Sequence, residues 1–312
     1  MSDYRRIVFM GTSDFSLKAL AALWNGGFNV VAVYTQPPKP FGRNYKIHKS
    51  STHLFAEANN IPVYTPKTLR NAEQEELLNT LHPDLVIVSS YGLIIPQNLL
   101  VVPTYGFVNI HASLLPRWRG AAPIQMSLLA GDKRTGISLM KMDSGVDTGD
   151  IIAMEFFEIP LKMNAGALSD ELASLGATML LKMLESLEEN LRNAVPQPNG
   201  GIAYAAKISK ESCRIDWNDS CENILRRIRA FSPTPSAWSE IDGARIKILD
   251  AYAVDGTFSN GSEPGRIIGD RLFVSCRDGC LALTEVQPEG KRKMSGEEFL
   301  RGRQHLLGRS FT

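Results

Sequence analysis

Between Arg6 and Asn190 strand-length apolar runs alternate with stretches of helical length, and that alternation most restricts what the chain can fold into. The strand candidates are Ile7 to Met10, Val30 to Tyr34, Leu85 to Ser89, Phe107 to His111 and Gly136 to Met142. Between them lie amphipathic stretches, Phe15 to Trp24, Thr52 to Ala58, Ala72 to Leu81 and Ala122 to Leu129, each long enough for a crossover between parallel strands. The pattern predicts an α/β fold, a doubly wound parallel sheet covered by helices on both faces. Gly166 to Leu191 carries Leu172, Leu175, Met179, Met183 and Leu187 at helical spacing and is expected to close this half as one long helix.

The composition then shifts. Ala194 to Gly201, AVPQPNGG, combines prolines with glycines and disfavours both helix and central strand, which marks a joint. The expected division is a first domain over 1–190, a linker over 191–206 and a second domain over 207–312. With 312 residues and 44% hydrophobic content, the chain can fill two cores. Beyond the joint come one helix, Ser220 to Phe231, and short β-runs separated by the turn dipeptides Asp242-Gly243, Gly269-Asp270 and Asp278-Gly279. A small β-barrel is expected.

Bulk properties exclude several classes. The 34 Lys+Arg are balanced by 33 Asp+Glu, so no whole-chain field points to nucleic acid and any basic footprint must be local. Cys213, Cys221, Cys276 and Cys280 lack metal-ligand spacing and nearby histidines, and they read as reduced thiols, with Cys276 and Cys280 flanking a hairpin turn. The start, MSDYRRIVFMGTSDF, sets two arginines before a short strand rather than a leader peptide, and no apolar run reaches membrane length. A cytoplasmic protein without a membrane anchor is the expectation.

In GFVNIHAS the strand period of two puts Asn109 and His111 on one face. In parallel α/β sheets ligands bind beyond the carboxyl ends of the strands, where this pair would lie. An amide can donate to a developing oxyanion and an imidazole can carry a proton near neutrality, which suits attack on a carbonyl. A buried Asn and His that merely satisfy one another is the competing view of an isolated pair. The loop KMDSGVDTGD, Lys141 to Asp150, offers three aspartates after a strand, and a carboxylate from it could orient His111. Solvated turn aspartates compete with that view, and with no second histidine or thiolate close by no metal is expected.

No Asp or Glu occurs between Asp14 and Glu57 or between Asp84 and Asp132. The first window holds Lys39, Arg43, Lys46 and Lys49 in a Pro/Gly-rich loop with Phe41 and Tyr45; the second holds Arg117 and Arg119. Near strand ends they would make an electropositive rim for a polyanion, with a merely solvated loop as the alternative. The glycine in FMGTSDFS lacks G-x-G-x-x-G spacing and reads as a plain strand-to-helix turn; P-loop and G-x-S-x-G motifs are missing.

With Asn109, His111, SLLPRWRGAAPIQ and MDSGVDTGD in view, the sequence resembles the methionyl-tRNA formyltransferase family through nearly its whole length. RWRGAAPIQ, RIDWN and IRAFSPTPSAW are similar to the tRNA-acting branch in particular. The resemblance implies a Rossmann-like formyltransferase domain followed by an OB-like barrel that binds tRNA. It implies a catalytic trio at Asn109, His111 and Asp147, and a folate-contacting turn at Ser113, Leu114, Leu115 and Pro116. The basic loop, Gln36 to Ser50, would clamp initiator methionyl-tRNA through Lys39, Arg43, Lys46 and Lys49, with Arg43 as the key cation. Where the family often has Gly-Arg-Gly followed by lysines, this chain has Gly42-Arg43-Asn44-Tyr45-Lys46. The implied reaction is formyl transfer from 10-formyltetrahydrofolate to the methionine amine by a monomer that needs no metal. A sugar-nucleotide formyltransferase, a formyltetrahydrofolate hydrolase and a non-catalytic tRNA-binding protein are the alternatives; the basic loop and second domain disfavour the first two, and the intact trio the third.

Overall fold

The structure is a computed structural model that describes residues 5–41, 46–254, 263–269 and 271–312. These form two compact units, one from Met1–Pro123, Arg134–Glu158 and Ser169–Ala205, the other from Ile124–Lys133, Ile159–Leu168 and Ala206–Thr312.

In the first unit β1 (Ile7–Gly11), β2 (Val30–Tyr34), β3 (Lys39–Phe41), β4 (Lys46–His48), β5 (Val63–Tyr64), β6 (Leu85–Ser89), β7 (Phe107–His111), β8 (Arg119–Gly120), β9 (Arg134–Lys141), β10 (Ile151–Glu158) and β11 (Tyr204–Ala205) follow in order. The main sheet runs β10-β9-β7-β6-β1-β2-β5. Every residue of β1, β6 and β7 is buried, as continuous apolar runs require when both sheet faces are covered. Helices over Asp14–Asn25, Ser51–Ala58 and Ala72–Thr80 lie within two residues of their expected ends. Ser13 and Ser50 cap the first two of these by accepting from Ser16 N and His53 N.

Three expectations are corrected. The sheet is mixed: β9 pairs antiparallel with β7 and β10 antiparallel with β9, because apolar content encodes burial and not direction. As a result the loop after β9 leaves at the amino end of β7, where Met142 N donates to Phe107 O at 2.9 Å. It must fold back over the sheet face to reach the pair on β7. The long helix is also interrupted, into Ala165–Glu185 and Leu187–Arg192, with Ser186 at φ −134. Asn190 Nδ2 donates to the freed Met183 carbonyl at 2.8 Å, and Leu187 stays buried, so the periodicity continues across a break it does not reveal. The stretch read as a loop contains a short antiparallel hairpin, β3 with β4.

The second unit contains the helix Cys221–Phe231, capped by Ser220, and β12 (Ala237–Ile241), β13 (Ala244–Ala253), β14 (Ile267–Gly269), β15 (Phe273–Cys276), β16 (Gly279–Pro288) and β17 (Met294–Ser295). The antiparallel order is β12-β13-β16-β15-β14, with β17 beside β16. Asp242 and Gly243 have φ +50 and +74, the left-handed pair a two-residue hairpin turn needs. Residues 308–312 bond to both edge strands. Gly308 N donates to Ile267 O at 3.0 Å, while Thr312 N and Glu240 N exchange bonds at 2.8 and 3.1 Å. This tail closes the sheet into the expected barrel around Trp217, Phe231, Ile248, Leu281 and Phe299.

Burial raises the thiol of Cys276, and pushes that of Cys280 up to about 11, chiefly by desolvating the thiolate. It likewise raises Tyr34 and Tyr91 above the usual phenol range. A folded-state value raised above the unfolded one stabilises fully below the unfolded pKa and is lost as pH rises through the gap. The urea unfolding midpoint is therefore expected to hold at pH 8 and to fall between about pH 9 and 11. A flat midpoint across that window would contradict the burial of these groups.

Candidate active site

Asn109 and His111 sit on one face of β7, at 8% and 5% exposure. Asp147 comes from the loop that folds back over that face. Asn109 Nδ2 donates to Asp147 Oδ1 at 3.2 Å, and His111 Nδ1 lies 3.6 Å from Asp147 Oδ2. Convergence on a shared carboxylate, with no direct bond required, replaces the simple Asn/His self-satisfaction that the strand alone allowed.

The imidazole is oriented from behind. His111 Nε2 lies 2.9 Å from the Trp118 carbonyl, which can only accept, so Nε2 carries a proton. The ring nitrogen left to exchange a proton is Nδ1, the one that faces Asp147. Asn109 keeps a second N–H beyond the one given to Asp147.

Asp147 is itself gripped. Gly120 N donates to its Oδ2 at 2.8 Å, and Asp147 has φ +52, a left-handed conformation uncommon outside glycine. Gly120, at φ +117, admits no other residue: a Cβ there would stand 2.6 Å from the Ala205 carbonyl across the β8–β11 pair. The three aspartates thus separate by role. Asp143 Oδ1 accepts from Gly145 N and Thr148 Oγ1 inside the loop, Asp147 enters the site, and the Asp150 carbonyl pairs with Lys141 N.

The turn after β7 is braced through Ser138 on β9. Its Oγ donates to Ser113 O at 2.7 Å and accepts from Leu115 N at 3.1 Å. Ser113 is fully buried, its Oγ donating to Arg117 O, and Leu115 packs with Met140 and Ile151. Pro116 is buried as well, and Leu114 is half-buried. Ser113 and Leu115 thus turn their side chains into the support of the turn.

The basic residues are less uniform than their count implied. Lys39 is exposed, and Lys49 Nζ pairs with Glu57 at 2.6 and 2.8 Å, which lowers the Glu57 carboxyl below its ordinary range. Arg43 and the Lys46 side chain lie outside the described residues. Arg117 is exposed and lies over the Trp118 ring at 4.3 Å. Arg119 departs from the expected rim: it is 8% exposed, with Nε and Nη2 donating to Gln197 Oε1 at 3.0 and 2.7 Å. A run of like charge along the chain says nothing of which cation is turned inward.

Gly120, the Trp118 carbonyl, Ser138 and Gln197 are parts of the site that sequence reasoning missed. The first two act through the main chain, which residue type does not report. Among the described residues no group of three or more His, Cys, Asp or Glu could hold a metal ion, and no helix is long and apolar enough to cross a membrane. The arrangement can donate to an oxyanion from Asn109, hold a proton at His111 Nδ1 and balance it with Asp147, the set that acyl transfer to an amine needs.

Comparison with known proteins agrees with that chemistry. Residues 5–184 match the formyl transferase family and residues 207–304 the formyl transferase C-terminal domain. The methionyl-tRNA formyltransferase of Brucella anthropi is 44% identical over 304 residues, covering 96% of this chain and 98% of that one. The methionyl-tRNA formyltransferase of Sphingopyxis alaskensis is 44% identical over 299 residues, covering 96% and 97%. Among solved structures, HypX from Aquifex aeolicus in complex with tetrahydrofolic acid superposes with a TM-score of 0.65 at 20% identity, covering 96% of this chain and 47% of that one. That likeness is one of fold, and this chain spans about half of the HypX chain.

Proposed function

The chain belongs to the methionyl-tRNA formyltransferase family, and on that premise we propose that it transfers the formyl group of 10-formyltetrahydrofolate to the amino group of methionine on initiator tRNA. The observation that carries the proposal is the convergence of Asn109, His111 and Asp147 on one sheet face in a chain that matches the family along both units.

The reaction forms a bond from the methionine nitrogen to the formyl carbon, breaks the bond from that carbon to the folate nitrogen, and moves one proton between the two nitrogens. Asn109 gives its second N–H to the oxyanion of the tetrahedral stage, and one such donor is worth about 10²–10³ in rate. His111, held through Nε2, carries the mobile proton on Nδ1. Asp147 Oδ2 balances the imidazolium and, through water, helps pass the proton from attacking to leaving nitrogen. The turn 113–116 supports folate contact through its main chain and the half-buried Leu114. The catalytic work is assigned to 1–190, the joint to 191–206 and tRNA binding to the barrel over 207–312, in a cytoplasmic monomer.

Labelled 10-formyltetrahydrofolate incubated with charged initiator tRNA tests the assignment. Label is expected in the aminoacyl-tRNA; label found only as formate would make the protein a hydrolase. For the basic loop, Arg43→Ala is expected to weaken tRNA binding at low salt and to reduce the slope of log K against log salt by about one, with folate affinity unchanged. An equal loss of folate affinity would move Arg43 to the donor pocket.

A further inference from the structure

We propose that Gln197 is a positioning residue for Asp147, so that a segment whose composition marks it as a joint sets the geometry of the reacting groups. The inference rests on the formyl-transfer assignment above. Gln197 Nε2 donates to the Asp147 carbonyl at 2.9 Å and to the Gly149 carbonyl at 2.8 Å, while its Oε1 accepts both bonds from Arg119. One orientation of the amide alone serves all four bonds, since the two carbonyls need the nitrogen and the guanidinium needs the oxygen.

Three physical consequences follow from those bonds. Asp147 is held at φ +52, and a left-handed non-glycine persists only where its surroundings over-determine it. The bond to its own carbonyl fixes the peptide plane that ends the strained residue. Arg119 is buried with its charge solvated by the Gln197 oxygen, and removing that oxygen strands a cation. Arg119 also precedes Gly120, whose N–H grips the Asp147 carboxylate, so one side chain ties the Asp147 main chain to the strand that holds its head.

The segment is stiff enough for the task. Val195 and Ile151 exchange two main-chain bonds at 2.8 and 2.9 Å, Arg119 N donates to Ala203 O at 2.9 Å, and Ala121 N donates to Ala205 O at 2.8 Å. Gln197 stands between Pro196 and Pro198, which restrict its backbone and lack competing N–H groups. The amide is presented from a fixed frame.

The test uses the full chain with Gln197→Met and Gln197→Glu, each alone and combined with Asp147→Asn, in steady-state and single-turnover assays with labelled 10-formyltetrahydrofolate and charged initiator tRNA. Gln197→Met is expected to lower kcat by about 10- to 100-fold, with KM for both substrates within about threefold. In the Asp147→Asn background the same change is expected to cost less than about threefold, because the carboxylate that Gln197 positions is already gone. Losses that multiply in the double variant would overturn the proposal. Gln197→Glu keeps an acceptor for Arg119 but sets a carboxylate against two carbonyls, and full recovery of kcat in it would also overturn the proposal. A crystal structure of Gln197→Met supplies a readout independent of activity: Asp147 is expected to leave the left-handed region and its carboxylate to leave Gly120 N. An unmoved Asp147 would refute the positioning role, whereas a wild type that forms no formylated tRNA would refute the assigned reaction instead.

Discussion

Asp147→Asn is expected to slow single-turnover formylation at saturating substrates by about 10²–10³-fold without lowering the urea midpoint in proportion. The carboxylate accepts from Asn109 Nδ2 and Gly120 N and faces His111 Nδ1 at 3.6 Å. An asparagine keeps one acceptor oxygen, so its amide nitrogen must point at one of those donors. The proton carried on His111 Nδ1 also loses the carboxylate oxygen that faces it. A single-turnover rate within about threefold of wild type would take Asp147 out of the chemistry.

In the barrel, Phe231→Ala is expected to lower stability by about 3–5 kcal/mol, since it deletes a ring at the centre of the core and leaves a cavity that the surrounding strands only partly fill. Phe231 is 0% exposed and ends the helix Cys221–Phe231, among Ile224, Ile228, Ile248 and Leu281. Leu161→Ala provides the contrast: at 84% exposure it is expected to change stability by no more than about 0.5 kcal/mol. Urea unfolding followed by tryptophan fluorescence measures both, because Trp217 and Trp238 lie in the same core. Equal shifts for the two variants would mean that Phe231 does not anchor this core.

The features readable in sequence were those with a period or a chemical mark. Runs such as LVIVS gave the buried strands, amphipathic spacing gave the helices beginning near Asp14 and Ser51, and the period of two put Asn109 and His111 on one face. Direction was not encoded, so β9 reads like any parallel strand until its pairing with β7 is seen. Nor could residue type separate Asp143 from Asp147, since both are turn aspartates and only the backbone decides which one points into the site. Arg119 and Lys49 counted equally toward a basic surface, yet one is buried on an amide and the other is paired with Glu57. Gln197 carried no mark at all, lying inside a stretch whose prolines announce irregular backbone.

The closing of the barrel by residues 308–312 has a consequence for the order in which the protein comes off the ribosome. Every strand of the first unit's sheet has been made by Glu158, and its side pairing with β11 by Ala205, so that unit can fold while the rest is still being translated. The barrel has less freedom, because the outer edge of β14 and the Glu240 end of β12 are paired only when residues 308–312 arrive, whereas Trp238 of β12 already pairs with Arg214 and Ile215. Synthesis from Gly269 to Thr312 takes about 2 to 9 s at ordinary rates, during which the outer edge of β14 and the Glu240 end of β12 stand open to a neighbouring nascent chain.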